Sequence, residues 1–124
     1  MKFFINRTTK EIIEVVLGND TTFTSEGSEM VELKANSTDA AGEKHVPVMT
    51  VEGNKGHVVV GSVLHPMTEE HSIQFIALET KQGVQRKALL PTDQPVADFV
   101  LAEGDEVVAA YEYCNLHGLW KVEA

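Results

Sequence analysis

The sequence predicts an all-β fold, an immunoglobulin-like antiparallel β-sandwich with a small β appendage at its N-terminal end. Three observations predict it. Most of the chain reads as short β-branched runs closed by turn residues, and no segment carries a sustained helical stripe. The length, 124 residues, leaves room for one domain with a real core and little beyond it.

The runs follow in order. His57 to Leu64 is β-branched and lies between Gly53-Asn54-Lys55-Gly56 and Pro66, which predicts a strand. Ser72 to Thr80 is a second run, ended by Lys81-Gln82-Gly83, and Val84 to Leu90 is a third, closed by Pro91. Asp98 to Leu101 is a fourth, and Glu106 to Cys114 is a fifth that opens from the turn Ala102-Glu103-Gly104-Asp105. Strands at this spacing, each with an alternating buried face, stack as two antiparallel sheets. Upstream, Glu11 to Val16 followed by Leu17-Gly18-Asn19-Asp20 reads as a small hairpin, and Thr21 to Glu29 is polar with little to bury. The polar run 35–40 is the expected boundary, which gives an N-terminal unit over 1–40 and a sandwich over 41–124.

Composition excludes several classes. Ten Lys and Arg against nineteen Asp and Glu give a formal charge of −9, so nucleic acid and anionic membranes are poor partners. The single cysteine, Cys114, rules out an intrachain disulfide and a disulfide-stapled scaffold. No apolar run is long enough for a membrane span or a secretory h-region, so the cytoplasm is the expected compartment.

The chemistry concentrates in three short, turn-rich segments. The five histidines stand at 45, 57, 65, 71 and 117, and all but His57 sit beside turn or loop signals. Any one of them alone reads equally well as a surface residue, and Cys-x-x-His is a weak motif by itself. Their co-occurrence is informative: histidines at strand ends converge on one rim of a sandwich, and Cys114 with His117 adds a thiolate and an imidazole at a spacing that faces one ion. Four nitrogens and one sulfur exceed the tetrahedral set of structural zinc and leave one octahedral position open, which suits a redox iron that binds a small ligand.

Three segments resemble the iron-binding motifs of desulfoferrodoxins and neelaredoxins, the superoxide reductases: Glu43-Lys44-His45-Val46-Pro47, His65-Pro66-Met67-Thr68-Glu69-Glu70-His71, and Cys114-Asn115-Leu116-His117-Gly118-Leu119-Trp120. The resemblance implies one iron per chain, with His45, His65, His71 and His117 as the nitrogens of a square-pyramidal ferrous site and Cys114 as its axial thiolate. It implies reduction of superoxide to hydrogen peroxide, with Lys44 drawing in the anion and Glu43 occupying the sixth position of the ferric resting state. Rubredoxin or a similar electron donor is the implied partner, and a homo-oligomer the expected assembly. His57 matches no ligand position. The N-terminal segment is similar to a desulforedoxin-like domain, except that Asn6, Thr9, Ser25 and Glu26 stand where that domain places cysteines.

Two other classes compete. A cupredoxin-like electron carrier shares the sandwich and a late Cys-His loop, but no methionine follows His117 and the histidines are too many. A non-catalytic binding sandwich with incidental histidines is the third. Iron, copper or no metal separates the three.

Overall fold

The computed structural model describes residues 1–19 and 22–124 and divides the chain into two compact units, Met1–Lys34 and Ala35–Ala124. In the first unit β1 (Phe3–Ile5) pairs antiparallel with both β2 (Ile12–Glu14) and β4 (Ser28–Leu33), and β3 (Phe23–Ser25) pairs with the outer edge of β4. Phe3, Phe4, Ile5, Met30 and Leu33 are buried in its core. The expected hairpin turn at 17–20 is therefore corrected. The turn lies upstream of β2, where the buried Asn6 side chain accepts from the Thr8 and Thr9 amides at 2.9 and 3.1 Å and Lys10 takes a positive φ of 67°. The Asn6 amide also donates to the Ser25 carbonyl at 3.1 Å, so one side chain joins the β1–β2 turn to β3. Asp20 and Thr21, part of the expected turn and polar stretch, lie outside the described residues. The remainder of that stretch is not idle. Glu26 and Gly27, both at positive φ, make the two-residue turn of the β3–β4 hairpin, and Phe23 packs edge-to-face on Phe4 at 4.8 Å.

The second unit opens with the short helix α1 (Gly42–His45) and then forms a seven-stranded sandwich: β5 (Pro47–Glu52), β6 (Lys55–Val60), β7 (Ile73–Thr80), β8 (Gly83–Ala88), β9 (Val96–Val100), β10 (Val107–Cys114) and β11 (Gly118–Glu123). One sheet has the order β11-β10-β7-β8 and the other β5-β6-β9, with every pairing antiparallel. Alternation sets the inner faces: Val58 and Val60 from β6, Ala97 and Phe99 from β9, Ile76 and Leu78 from β7, and Ala110 and Cys114 from β10 meet in one buried cluster. The predicted all-β sandwich is the fold observed. The polar run after Lys34 is tied to β11, because Asn36 accepts from the Lys121 amide at 2.8 Å and donates to its carbonyl at 3.1 Å.

Two differences from the expected strands matter for the site. β5 and β11 are additional strands, and β6 stops at Val60 instead of running to Leu64. The stop has a steric cause. Gly61 lies so close to α1 that a Cβ there would sit 2.6 Å from the Glu43 carbonyl oxygen and 3.1 Å from that of Val46. The chain then turns, and the Val63 amide and Ser62 hydroxyl both donate to the Glu43 carbonyl, at 2.8 and 3.2 Å. Glycine at 61 thus allows the turn leading to His65 to seat against the helix bearing His45.

Because the opposing atoms are backbone, Gly61→Ala forces one segment to move and is expected to destabilise the protein by about 1–3 kcal/mol. Urea unfolding measures this; an unchanged midpoint would mean that the contact is not tight.

Candidate metal centre

Four loops and strand ends bring the histidines together on the rim of the sandwich. His45 ends α1, His65 follows the turn after β6, His71 lies just ahead of β7, Cys114 ends β10, and His117 is the last residue of the β10–β11 hairpin loop. That loop has three residues between the paired Cys114 and Gly118. Gly118 closes it at φ 81°, a left-handed conformation suited to glycine. The Trp120 indole donates to the His117 carbonyl at 3.0 Å and its ring stacks on His45 at 5.1 Å, so β11 braces two of the imidazoles.

The rings follow one another around a square. Centroid separations are 4.8 Å for His45–His65, 4.6 Å for His65–His71, 5.1 Å for His71–His117 and 4.8 Å for His117–His45, with neighbours steeply inclined at 74–86°. The diagonal His45–His71 is longer, at 6.4 Å. Cys114 Sγ approaches His65 Nε2 at 3.6 Å and His117 Nδ1 at 3.9 Å, two corners that are not neighbours, which places the sulfur beside the middle of the square. Donor atoms of His45, His65, His71 and Cys114 all lie within 4.8 Å of one another and form a group able to hold a metal ion. His117 Nδ1 joins them at 3.1 Å from His45 Nε2.

Hydrogen bonds assign the inward atoms. His45 Nδ1 lies 2.8 Å from the Ala41 carbonyl and His65 Nδ1 2.6 Å from the Pro66 carbonyl; a carbonyl only accepts, so both Nδ1 atoms carry the proton and both Nε2 atoms present lone pairs. His71 Nε2 is buried with no hydrogen-bond partner. An orphaned imidazole nitrogen beside two lone-pair nitrogens and a buried sulfur is the donor set that a metal cation satisfies. The residues present therefore fit the ion.

Electrostatics agrees with this. Burial pushes His65 down to about 4 and also lowers His45 and His71, with the neighbouring imidazoles adding to the effect, so the rings hold the neutral form that ligates metals. Burial raises the Cys114 thiol, while the backbone amides of Leu116 and His117 act in the opposite sense by favouring thiolate. Glu112, two residues before Cys114, is fully buried with both carboxyl oxygens unpartnered, and burial pushes it up to about 9, so it is neutral at physiological pH.

The rings open onto a pocket of about 330 Å³ lined by Ala40, Ala41, Lys44, His45, Pro66 and His71 among others; among the described residues Lys44 is its only Lys or Arg and no carboxylate lines its walls. Glu43 is exposed on α1 and does not line the pocket. His57 faces solvent from β6, where it bonds Asp98 on β9. Sequence reasoning did not single out the supporting residues. Ala41 and Pro66 act through backbone carbonyls, which no residue type signals, whereas Gly61 inside a β-branched run and Asn115 inside the Cys-His loop were legible cues.

Comparison with known proteins agrees with the site. The family model for desulfoferrodoxin matches residues 37–123. The desulfoferrodoxin of Clostridium acetobutylicum is 39% identical over 123 residues, covering 99% of this chain and 96% of its own, and the desulfoferrodoxin homologue of Archaeoglobus fulgidus is 44% identical over 110 residues, covering 89% and 86%. The crystal structure of the superoxide reductase from Treponema pallidum superimposes with a TM-score of 0.85 at 36% identity, covering 98% of each chain. With a family model that matches most of its length and near-full-length relatives at 39–44% identity, the chain belongs to the desulfoferrodoxin family.

Proposed function

We propose that this chain is a superoxide reductase working at one iron held by His45, His65, His71, His117 and Cys114. The observation that carries the reading is the square of imidazoles with the buried Cys114 sulfur beside its middle. Superoxide takes up one electron and two protons and leaves as hydrogen peroxide, without release of dioxygen. His45, His65, His71, His117 and Cys114 would hold the iron, which in its ferrous form would supply the electron.

The residues divide the remaining work. The Ala41 and Pro66 carbonyls hold His45 and His65 in the tautomer that turns Nε2 inward. The Leu116 and His117 amides steady the Cys114 thiolate, whose electron density favours release of the product. Lys44 supplies the positive charge of the pocket and orders the water that delivers protons. Glu43, exposed on α1 two residues before His45, would give its carboxylate to the oxidised centre. A small external donor such as rubredoxin restores the electron, and the protein works in the cytoplasm as a homo-oligomer.

Cys114→Ser is expected to abolish the thiolate-to-iron absorption and to lower reductase activity at least about tenfold, with far-ultraviolet circular dichroism unchanged. An unaltered absorption band would remove Cys114 from the ligand set. Glu43→Ala should leave superoxide reduction near the wild-type rate but shift the spectrum of the ferric protein; identical ferric spectra would end that assignment. Lys44→Ala should keep its iron and react about tenfold more slowly with superoxide at low salt, because a net charge of −9 makes long-range attraction unfavourable and leaves steering to the local cation. With screening over about 8 Å at physiological ionic strength, wild type should slow as salt rises and the variant less so. Pulse radiolysis at two salt concentrations measures both, and equal bimolecular rates at low salt would return Lys44 to an ordinary exposed residue.

A further inference from the structure

The β7–β10 ladder loses its register where the site begins. Tyr113 pairs with Phe75, but the next residue, Cys114, pairs with Ile73, so Gln74 is an extra residue and the regular ladder is interrupted one step from the sulfur. Past the bulge Cys114 still pairs with Ile73, but the ladder ends there, two residues short of His71.

The Asn115 side chain bridges that gap. Its Oδ1 accepts from the Ser72 amide at 3.0 Å and its Nδ2 donates to the Glu70 carbonyl at 2.9 Å. These two peptide groups flank His71 on either side. The carboxamide thus behaves like the N–H and C=O of one residue in a parallel strand, which bond the residues before and after its partner. The Asn115 backbone amide adds a bond to the Ser72 carbonyl at 3.2 Å. His71 is held from the other direction as well, since its amide donates to Thr68 Oγ1 at 3.0 Å and its carbonyl accepts from the Thr68 amide at 2.9 Å. Thr68 closes the loop on itself and Asn115 anchors the closed loop to the cysteine hairpin.

We propose that Asn115 is a positioning residue for the metal centre: its carboxamide sets His71 against Cys114 beyond the β-bulge, where the β7–β10 ladder has ended. The proposal rests on the iron site described above. It explains why His71 Nε2, buried and unpartnered, stays aimed inward although the described bonds of this loop are to its backbone. Asn115 touches neither substrate nor metal and acts only through the peptide groups around His71.

The test compares Asn115→Ala, which loses both side-chain bonds, with Asn115→Asp, which keeps the acceptor for Ser72 but loses the donor to Glu70. Affinity for Fe(II) is read by competition with a coloured chelator, and the thiolate-to-iron absorption is recorded after oxidation. Asn115→Ala should bind iron about 10- to 100-fold more weakly and show a displaced thiolate band, and Asn115→Asp should fall between it and wild type. Wild-type affinity and an unshifted band in Asn115→Ala would overturn the proposal. Should that variant fail to fold, the same wild-type result in Asn115→Asp overturns it. A wild-type protein that binds no iron would overturn the iron reading itself, an outcome distinct from equal binding by all three proteins.

Discussion

Four imidazoles and a thiol are packed together on one rim with their donor atoms close to one another, an arrangement that a metal cation satisfies. The Cys114 sulfur lies 3.6 Å from His65 Nε2 and 3.9 Å from His117 Nδ1, and His71 Nε2 is buried without a partner. Protonation does not relieve the crowding, because burial and the neighbouring rings push His45, His65 and His71 toward the neutral form. The outer nitrogens of His45 and His65 are already committed to carbonyls, so neither ring gains by flipping. Metal binding and local order are therefore one free energy in this protein.

The scaffold meets this demand with strand ends instead of strand interiors. A β-sandwich is rigid in its ladders, and here Val60, Ile73 and Cys114, at the ends of β6, β7 and β10, belong to the buried core. Each ligand-bearing loop then departs from a fixed post. Gly61 permits the closest of these approaches, since any side chain there collides with the backbone of α1. Trp120 fills the other flank, stacked on His45 and bonded to the His117 carbonyl. The N-terminal unit has its own solution to holding loops together: Asn6 collects the Thr8 and Thr9 amides and the Ser25 carbonyl.

Much of this was legible in the residues. Turn-bounded β-branched runs identified β7, β8, β9 and β10 to within about two residues at either end, because alternation and turn chemistry are local properties. β5 and β11 were missed for opposite reasons: Pro47–Glu52 alternates weakly and is largely exposed, and Gly118–Glu123 follows a loop dominated by its motif. The run past Val60 was read as strand because its composition is strand-like, and only the approach of α1, a tertiary fact, ends it. The N-terminal hairpin was placed on the wrong turn, since Asn6 organises the chain through its buried side chain and leaves no Gly or Pro signal. At the site, His45, His65, His71, Cys114 and His117 announced themselves by type and clustering. The carbonyls that orient them did not, because every residue carries one.

X-ray absorption at the iron edge of the reduced protein, combined with iron counting per chain, tests the central claim most directly. The account predicts one iron per chain surrounded by four nitrogen scatterers and one sulfur. A shell without sulfur, a shell with more than one sulfur, or a second iron per chain would contradict it.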